Sequence, residues 1–542
     1  MYNNLKFYIY GGHITMTDAQ IKMLISMVLY MAVVIAIGVY FSKRANKNSN
    51  EYFLGGRSLG PWVTAMSAEA SDMSGWLLMG LPGVAYWMGL ADAFWTAVGL
   101  AAGTYVNWLI VAKRLRRYSV KIDAITVPDY FSKRFHESDG KKVILTIASL
   151  FILIFFSVYA GSCFVACGKL FSTLFGLPYV PMMIIGAIFV VIYTFLGGFL
   201  AESASDFMQA VVMIVALSII LTLSTISAGG LGAVLENAKN IPGFFELFGI
   251  ATPVLGENGL QLIENGKPVF GEAGAYGIIT VLSTLCWGLG YFGMPQVLLR
   301  FMAARKTSEI TMSRRIATVW VIISLAAAVA IGIIGRALLP TEEVLLSSSG
   351  AEKIFIIVCG KLLPPIVAGV IMSGILAATI SSSDSYLLIA ASAFSKNLYQ
   401  EIFNRRATDK QVMRCSKIIL VLIALFGVIV ALDENSVIFN VVSFAWAGFG
   451  ATFGPLMLIS LFWKKVTHSA AVAGMLSGGA MVFIWEYVFT PFGKANGISV
   501  LTVYELLPAF LVSTAVIFAV SRFTKAPSEE IVAEFEAVNT IE

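Results

Sequence analysis

Charge is what this chain has least of. Only 13% of its 542 residues are Asp, Glu, Lys or Arg, whereas 58% are hydrophobic, and the mean hydropathy is +0.83. Soluble domains carry about 25% charged residues. So few charges cannot coat a water-soluble globule, which excludes the several soluble domains that length alone suggests. Histidine is nearly missing. His13, His136 and His468 all lie in polar or flanking segments, leaving no zinc site and no histidine-based catalytic dyad, so an enzyme reading has nothing to rest on. The five cysteines (Cys163, Cys167, Cys286, Cys359, Cys415) lie in or beside apolar stretches with no CxxC pair. They read as small core hydrophobes. Residues 1–17 lack the basic and apolar regions of a signal peptide, so the first apolar run is expected to serve as the targeting segment.

What the chain has in abundance is apolar runs of about 20 residues, the length that crosses hydrocarbon as a helix. Thirteen spans are expected: 19–42, 61–88, 91–112, 143–170, 178–198, 205–228, 274–300, 315–338, 355–396, 415–433, 437–463, 468–491 and 502–522. Span 9 is too long for one crossing, and Pro364-Pro365 divides a short outer helix from the true span. The fold class is thus an all-α integral membrane protein. It has an external segment 1–18, one transmembrane domain over 19–525 and a short acidic tail, 526–542, read as a solvated amphipathic end.

Lysine and arginine orient the spans. Connections after odd-numbered spans hold 28 of the 37 basic residues, counting the run from Arg300 to Arg315. By the positive-inside rule the N-terminus is outside, the C-terminus is cytoplasmic, and the setting is the cell membrane. The net charge of +5 is then topology and calls for no nucleic-acid partner. The largest external connection, 229–273, holds five glutamates against two lysines, and Asn265-Gly266 within it reads as a hairpin turn. It is expected to cover the outer face.

Two spans are interrupted. Span 2 reads SAEASDMSGWLLMGLPG and span 7 reads CWGLGYFGMPQ. They lie five spans apart, the interval expected of two inverted five-helix units, spans 2–6 and 7–11, with spans 1, 12 and 13 peripheral. Transporters of that design place their sites at such breaks. A lone glycine here would read as a close-packing position. Two corresponding breaks, one beside a buried acid, point to a site.

That acid is Asp72. A carboxylate at bilayer depth costs roughly 2.5–3.5 kcal/mol, so it faces a cavity or a cation, or pairs with a donor for packing. Ser71, Ser74 and Gly75 adjoin it, and an unwound helix exposes the carbonyls of Ala70 and Met73, a hard-cation environment. Span 9 supplies a matching stretch, LAATISSSDSYLL, with Ser381, Ser382, Ser383, Asp384 and Ser385 in an apolar helix. Ser381 and Ser385 share a face, with Ala378 one turn earlier. A single such serine reads as bonded back to its own helix. Asp206, with Glu202 and Ser205, opens span 6, either as a helix cap or as part of an inner gate or second cation site with span 9. Trp287 and Tyr291 share a face of span 7; with Tyr159 and Trp76 they are either packing aromatics or the wall of a pocket for a small, partly apolar solute. In that pocket, Ser74 and the Gly75 amide would meet a carboxylate.

The segments EYFLGGRSLG (51–60), ASDMSGWLLMGLPG (70–83), WGLGYFGMPQVLLRFMA (287–303) and GILAATISSSDSYLL (374–388) closely resemble the sodium/solute symporter family, the middle two its proline branch. The resemblance covers about 19–525. It implies a leucine-transporter-type inverted-repeat core and sodium-coupled solute uptake, with sodium as coupling ion and no other cofactor. It implies a sodium site from the carbonyls of Ala70, Met73 and Ala378 and the hydroxyls of Ser381 and Ser382, with Asp72 as the coupling acid. It implies a proline site of Ser74, Gly75, Trp76, Tyr159, Trp287, Tyr291 and Pro295. Asp206, Asp384 and Ser385 resemble a second sodium site found in some members. Within the same family the solute could instead be pantothenate, a sugar or another amino acid. A channel would show pore-lining rings from repeated subunits and a sensor a soluble output domain, and the sequence carries neither.

Overall fold

The computed structural model describes residues 5–9, 12–45, 47–138 and 142–538. Residues 1–4, 10 and 11 of the expected external segment and 539–542 of the expected tail lie outside the described residues. The chain is helical nearly throughout. Among the described residues ten helices are long and apolar enough to cross a membrane: Asp18–Phe41, Leu90–Lys121, Val143–Phe175, Gly198–Ser227, Thr307–Leu338, Pro365–Phe403, Asp409–Val430, Ile438–Phe462, His468–Asn496 and Leu506–Phe523. They are spans 1, 3, 4, 6 and 8–13. Span 7 is a bent pair, Ile278–Phe292 and Pro295–Ala303, meeting at 42°. The two remaining spans are made of shorter helices: Pro61–Asp72 followed by Trp76–Met88 in span 2, and Tyr179–Phe195 in span 5. Thirteen expected spans therefore become ten continuous helices, one bent pair, one span assembled from two shorter helices and one made of a single short helix.

Each interruption has a local cause. Helix Pro61–Asp72 ends at Met73, whose backbone is non-helical (φ −86°, ψ 77°). In span 7 the glycine-rich CWGLGYF winds into a tighter 3-10 helix. Pro295, which has no N–H to donate, then starts a new helix. Gly198 (φ 57°) separates spans 5 and 6. The helix Ile354–Leu362 precedes Pro364-Pro365, and span 9 begins at Pro365, as the sequence leads one to expect.

Spans 9 and 11 form the centre: 83% of the most apolar window of each is buried inside the protein. For spans 1, 12 and 13 the figures are 22%, 28% and 28%, so these three are peripheral and largely face outward. Span 9 packs against spans 1, 4, 6 and the first half of span 2, which brings its serine run to the break. Cys163, Cys167 and Cys359 are buried and unpaired, in keeping with a packing role.

Three smaller features stand outside the bundle. Ile263–Glu264 pairs antiparallel with Lys267–Pro268 across Asn265 (φ 50°) and Gly266 (φ 73°), the left-handed pair that a two-residue hairpin needs. A second hairpin, Leu5–Ile9 with Gly12–Met16, has no counterpart in the sequence reading. The tail corrects an expectation, because the helix Glu529–Ala537 is docked rather than free in solvent. Phe535 is buried beneath the guanidinium groups of Arg114 and Arg134, and Glu534 accepts from the Tyr118 hydroxyl at 3.0 Å. Its acidic residues thus meet the basic connection after span 3.

Candidate functional site

The two helix breaks face each other. The Tyr291 hydroxyl, in the 3-10 segment of span 7, donates to Asp72 Oδ2 at 2.7 Å. Trp76 Nε1 donates back across the break to the Asp72 carbonyl at 3.2 Å. Asp72 is fully buried, and its Oδ1 has no hydrogen-bond partner among the described residues. A carboxylate this deep with one oxygen unmet is chemically suited to a cation or a further donor.

Beside it, oxygens from spans 2 and 9 converge. Ser381 Oγ donates to the Ala70 carbonyl at 2.8 Å and to that of Ala378 at 3.1 Å, and Ser382 Oγ reaches the Ala70 carbonyl at 3.3 Å. Four of the five expected sodium ligands are thus linked by three hydrogen bonds. The fifth, Met73, sits at the break itself. Ser383 behaves differently: among the described residues its hydroxyl bonds to carbonyls of its own helix alone, those of Thr379 and Ile380.

The expected solute residues are buried, but they are not all drawn into one contact set. Trp287 packs against Phe439, Trp446 and Tyr504, with ring centroids 5.1, 6.2 and 5.1 Å away. Tyr159 stacks on Tyr386 at 4.2 Å. Tyr291 meets Trp446 edge-on at 4.9 Å, so Trp446 touches both Trp287 and Tyr291. Gly290 explains the fit, since a Cβ there would come within 1.9 Å of Trp446 Nε1. Packing therefore accounts for this glycine, and the 3-10 winding and Pro295 account for the break. Gly75, likewise, lies against the Ala166 methyl of span 4. Ser74 is buried at the break, and Pro295 opens the second half of span 7.

The third cluster holds a residue that sequence reasoning misplaced. Arg300 was counted with the cytoplasmic connections, yet it is fully buried. Its Nη2 pairs with Glu202, lies 3.1 Å from Asp206 Oδ2 and donates to Ser385 Oγ at 2.8 Å, while Nε donates to Ser67 Oγ at 3.0 Å. One guanidinium so joins spans 2, 6, 7 and 9. Asp206 and Ser385, two of the three residues expected at a second sodium site, both bond to this arginine. Asp384 stands slightly apart: Oδ1 accepts from the Ser385 amide at 2.8 Å, and the residue lines a cleft with Glu202, Tyr193 and Thr194. Two carboxyl groups pair with one guanidinium and a third, Asp384, lies nearby, so with all three ionised two negative charges are left for another cation or for protons. Glu69 was also missed. It lies one turn before Asp72, fully inside, and accepts from Trp108 Nε1 at 3.0 Å. The rule that singled out Asp72 applies to it equally.

A bundle with two broken helices facing one another, and oxygen-rich walls at the breaks, is the architecture of a leucine-transporter-type secondary transporter. The fold agrees with solved structures. A Na+-coupled sialic acid symporter in a substrate-bound, outward-open state superposes with a TM-score of 0.75 at 17% identity, covering 94% of this chain and 100% of that one. Mhp1, a nucleobase-cation-symport-1 family transporter in a closed conformation, gives 0.51 at 14%, covering 90% and 98%. Residues 52–478 match the model of the sodium:solute symporter family, and the chain belongs to that family. The sodium/proline symporter of Staphylococcus aureus strain USA300 / TCH1516 is 37% identical over 528 residues, 97% of each chain. The protein is accordingly a multi-pass, sodium-coupled solute symporter.

Proposed function

We propose that the protein carries L-proline into the cell together with sodium by alternating access, with the N-terminus outside and the C-terminus cytoplasmic. The observation that carries this reading is the joining of the two helix breaks through Asp72 and Tyr291, next to the Ala70, Ala378, Ser381 and Ser382 oxygens. The 37% identical relative named a sodium/proline symporter supports the solute. Sodium replaces the hydroxyl-to-carbonyl bonds between spans 2 and 9 with cation–oxygen contacts, the Met73 carbonyl completing the set. The ion draws the two spans together and orders the link from Met73 to Gly75. Ser74 and the Gly75 amide then meet the proline carboxylate, while Trp76, Tyr159, Trp287, Tyr291 and Pro295 enclose the ring. Because sodium has already met the ordering cost, solute binds more tightly, and linkage makes the effect mutual. Asp206, Asp384 and Ser385 form a second cation site, charge-balanced by Arg300.

Proteoliposomes holding the purified protein test this directly. An inward sodium gradient should drive labelled proline uptake, and unlabelled proline should compete while glucose and pantothenate do not. Equal uptake with choline in place of sodium, at fixed pH and voltage, overturns the coupling. Competition by another solute and not by proline overturns the substrate.

A further inference from the structure

Away from the candidate site, spans 3 and 8 line an open groove of about 780 Å³. Its walls are almost wholly apolar. Phe94 and Ala101 line the span 3 side, Ala326 and Ile333 the span 8 side, and Leu235 of the helix Leu231–Lys239 closes one end. Alanines on both facing helices keep the floor low. Along span 8 the lining runs from Thr318 to Ile334, about 24 Å of helix at 1.5 Å per residue, a large part of a hydrocarbon layer about 30 Å thick.

The groove's other end is charged. Arg314 lies one turn before Thr318, whose hydroxyl donates to the Arg314 carbonyl at 2.8 Å. The Arg314 guanidinium sits over the ring of Tyr105, itself a groove residue, at 5.5 Å. Among the described residues Arg314 has no carboxylate partner, whereas nearby Arg305 is paired with Glu309 at 2.6 Å. A cation at the rim of an apolar trough is complementary to one class of ligand in a bilayer. We propose that this groove is a binding site for an anionic phospholipid, its acyl chains along spans 3 and 8 and its phosphate on Arg314. Arginine suits the role because its planar fork bonds two phosphate oxygens at once, and stacking on Tyr105 holds that plane in place. The distribution of basic residues sets Arg314 on the cytoplasmic side, where anionic lipid is attracted to arginine by about 1 kcal/mol per residue.

Native mass spectrometry of the full-length protein in detergent, titrated separately with phosphatidylglycerol and with phosphatidylcholine of the same chains, tests the site. Phosphatidylglycerol should bind about fivefold more tightly, the factor that one arginine supplies. Arg314→Gln should abolish that preference, and Arg315→Gln, at an exposed position, should keep it. Ala326→Phe, which fills the floor, should weaken both lipids, and glycerol phosphate without chains should give no adduct. Equal binding of the two lipids by the unaltered protein overturns the proposal, and so does a preference that survives in a folded Arg314→Gln variant. Adducts with glycerol phosphate alone would assign the site to a free phosphate instead.

Discussion

The Tyr291 hydroxyl donates to Asp72 Oδ2 at 2.7 Å, tying the break in span 2 to the break in span 7. Removing a donor from a buried carboxylate costs about 1–3 kcal/mol. Tyr291→Phe keeps the ring and the Trp446 contact but loses this bond. It should lower the melting temperature and shift the sodium dependence of uptake, and Asp72→Asn should shift it further. Sodium activation curves in proteoliposomes provide the check; an unchanged curve for Tyr291→Phe would remove the pair from the coupling path.

Neighbouring serines in span 9 should differ sharply. Ser381 reaches the Ala70 carbonyl of span 2, while Ser383, among the described residues, bonds within its own helix. Ser381→Ala should raise the half-activating sodium concentration about tenfold, equivalent to about 1.4 kcal/mol. Ser383→Ala should leave it unchanged. Replacing sodium by choline should also lower thermal stability, since a ligand at 100 times its Kd stabilises by about 2.7 kcal/mol. The unaltered protein should show that loss and Ser381→Ala should show less of it.

Arg300 is hemmed in by Glu202, Asp206, Ser67 and Ser385. Arg300→Gln leaves two carboxylates buried without their cation, a change worth about 3–5 kcal/mol. Thermal unfolding should show a strong drop, partly restored by adding Asp206→Asn. If the double variant is no more stable than the single one, Asp206 does not depend on this guanidinium.

Sidedness can be read chemically. In a background lacking the five native cysteines, an impermeant maleimide applied to intact cells should label Asn258→Cys and miss Ser528→Cys. Labelling of both, or the reverse order, would mean that the termini are placed wrongly.

Much of this was legible beforehand because a bilayer imposes strong rules on sequence. Hydrocarbon must be crossed by helices of fixed length, so hydropathy located the apolar segments in order, while ends such as those of spans 3, 8 and 9 lie seven to ten residues from the expected ones. Proline and glycine marked the breaks at Asp72 and Tyr291, the cost of burying charge singled out Asp72, and the crowding of four serines and an acid in an apolar helix singled out span 9. Those same rules could have flagged Glu69. The docked tail was harder to see, because Phe535 on a short acidic helix looks alike whether it is solvated or held beneath two arginines.

What composition and pattern determined by themselves, then, were the class of protein, the number and order of apolar segments and the residues able to carry a cation. Only tertiary structure decided which of these residues meet. Arg300 ends an apolar run and counts as a topology signal in one dimension. In three it lies buried against Asp206 of a helix almost a hundred residues away. Serines 381 and 383 lie two apart in one apolar helix, and the packed helices show the difference between them: one hydroxyl reaches the Ala70 carbonyl of span 2 and the other bonds to its own helix. The reason is physical. Hydropathy is a property of each segment against its solvent, whereas a hydrogen-bonded site depends on directions and distances between segments, which are set only when the helices pack.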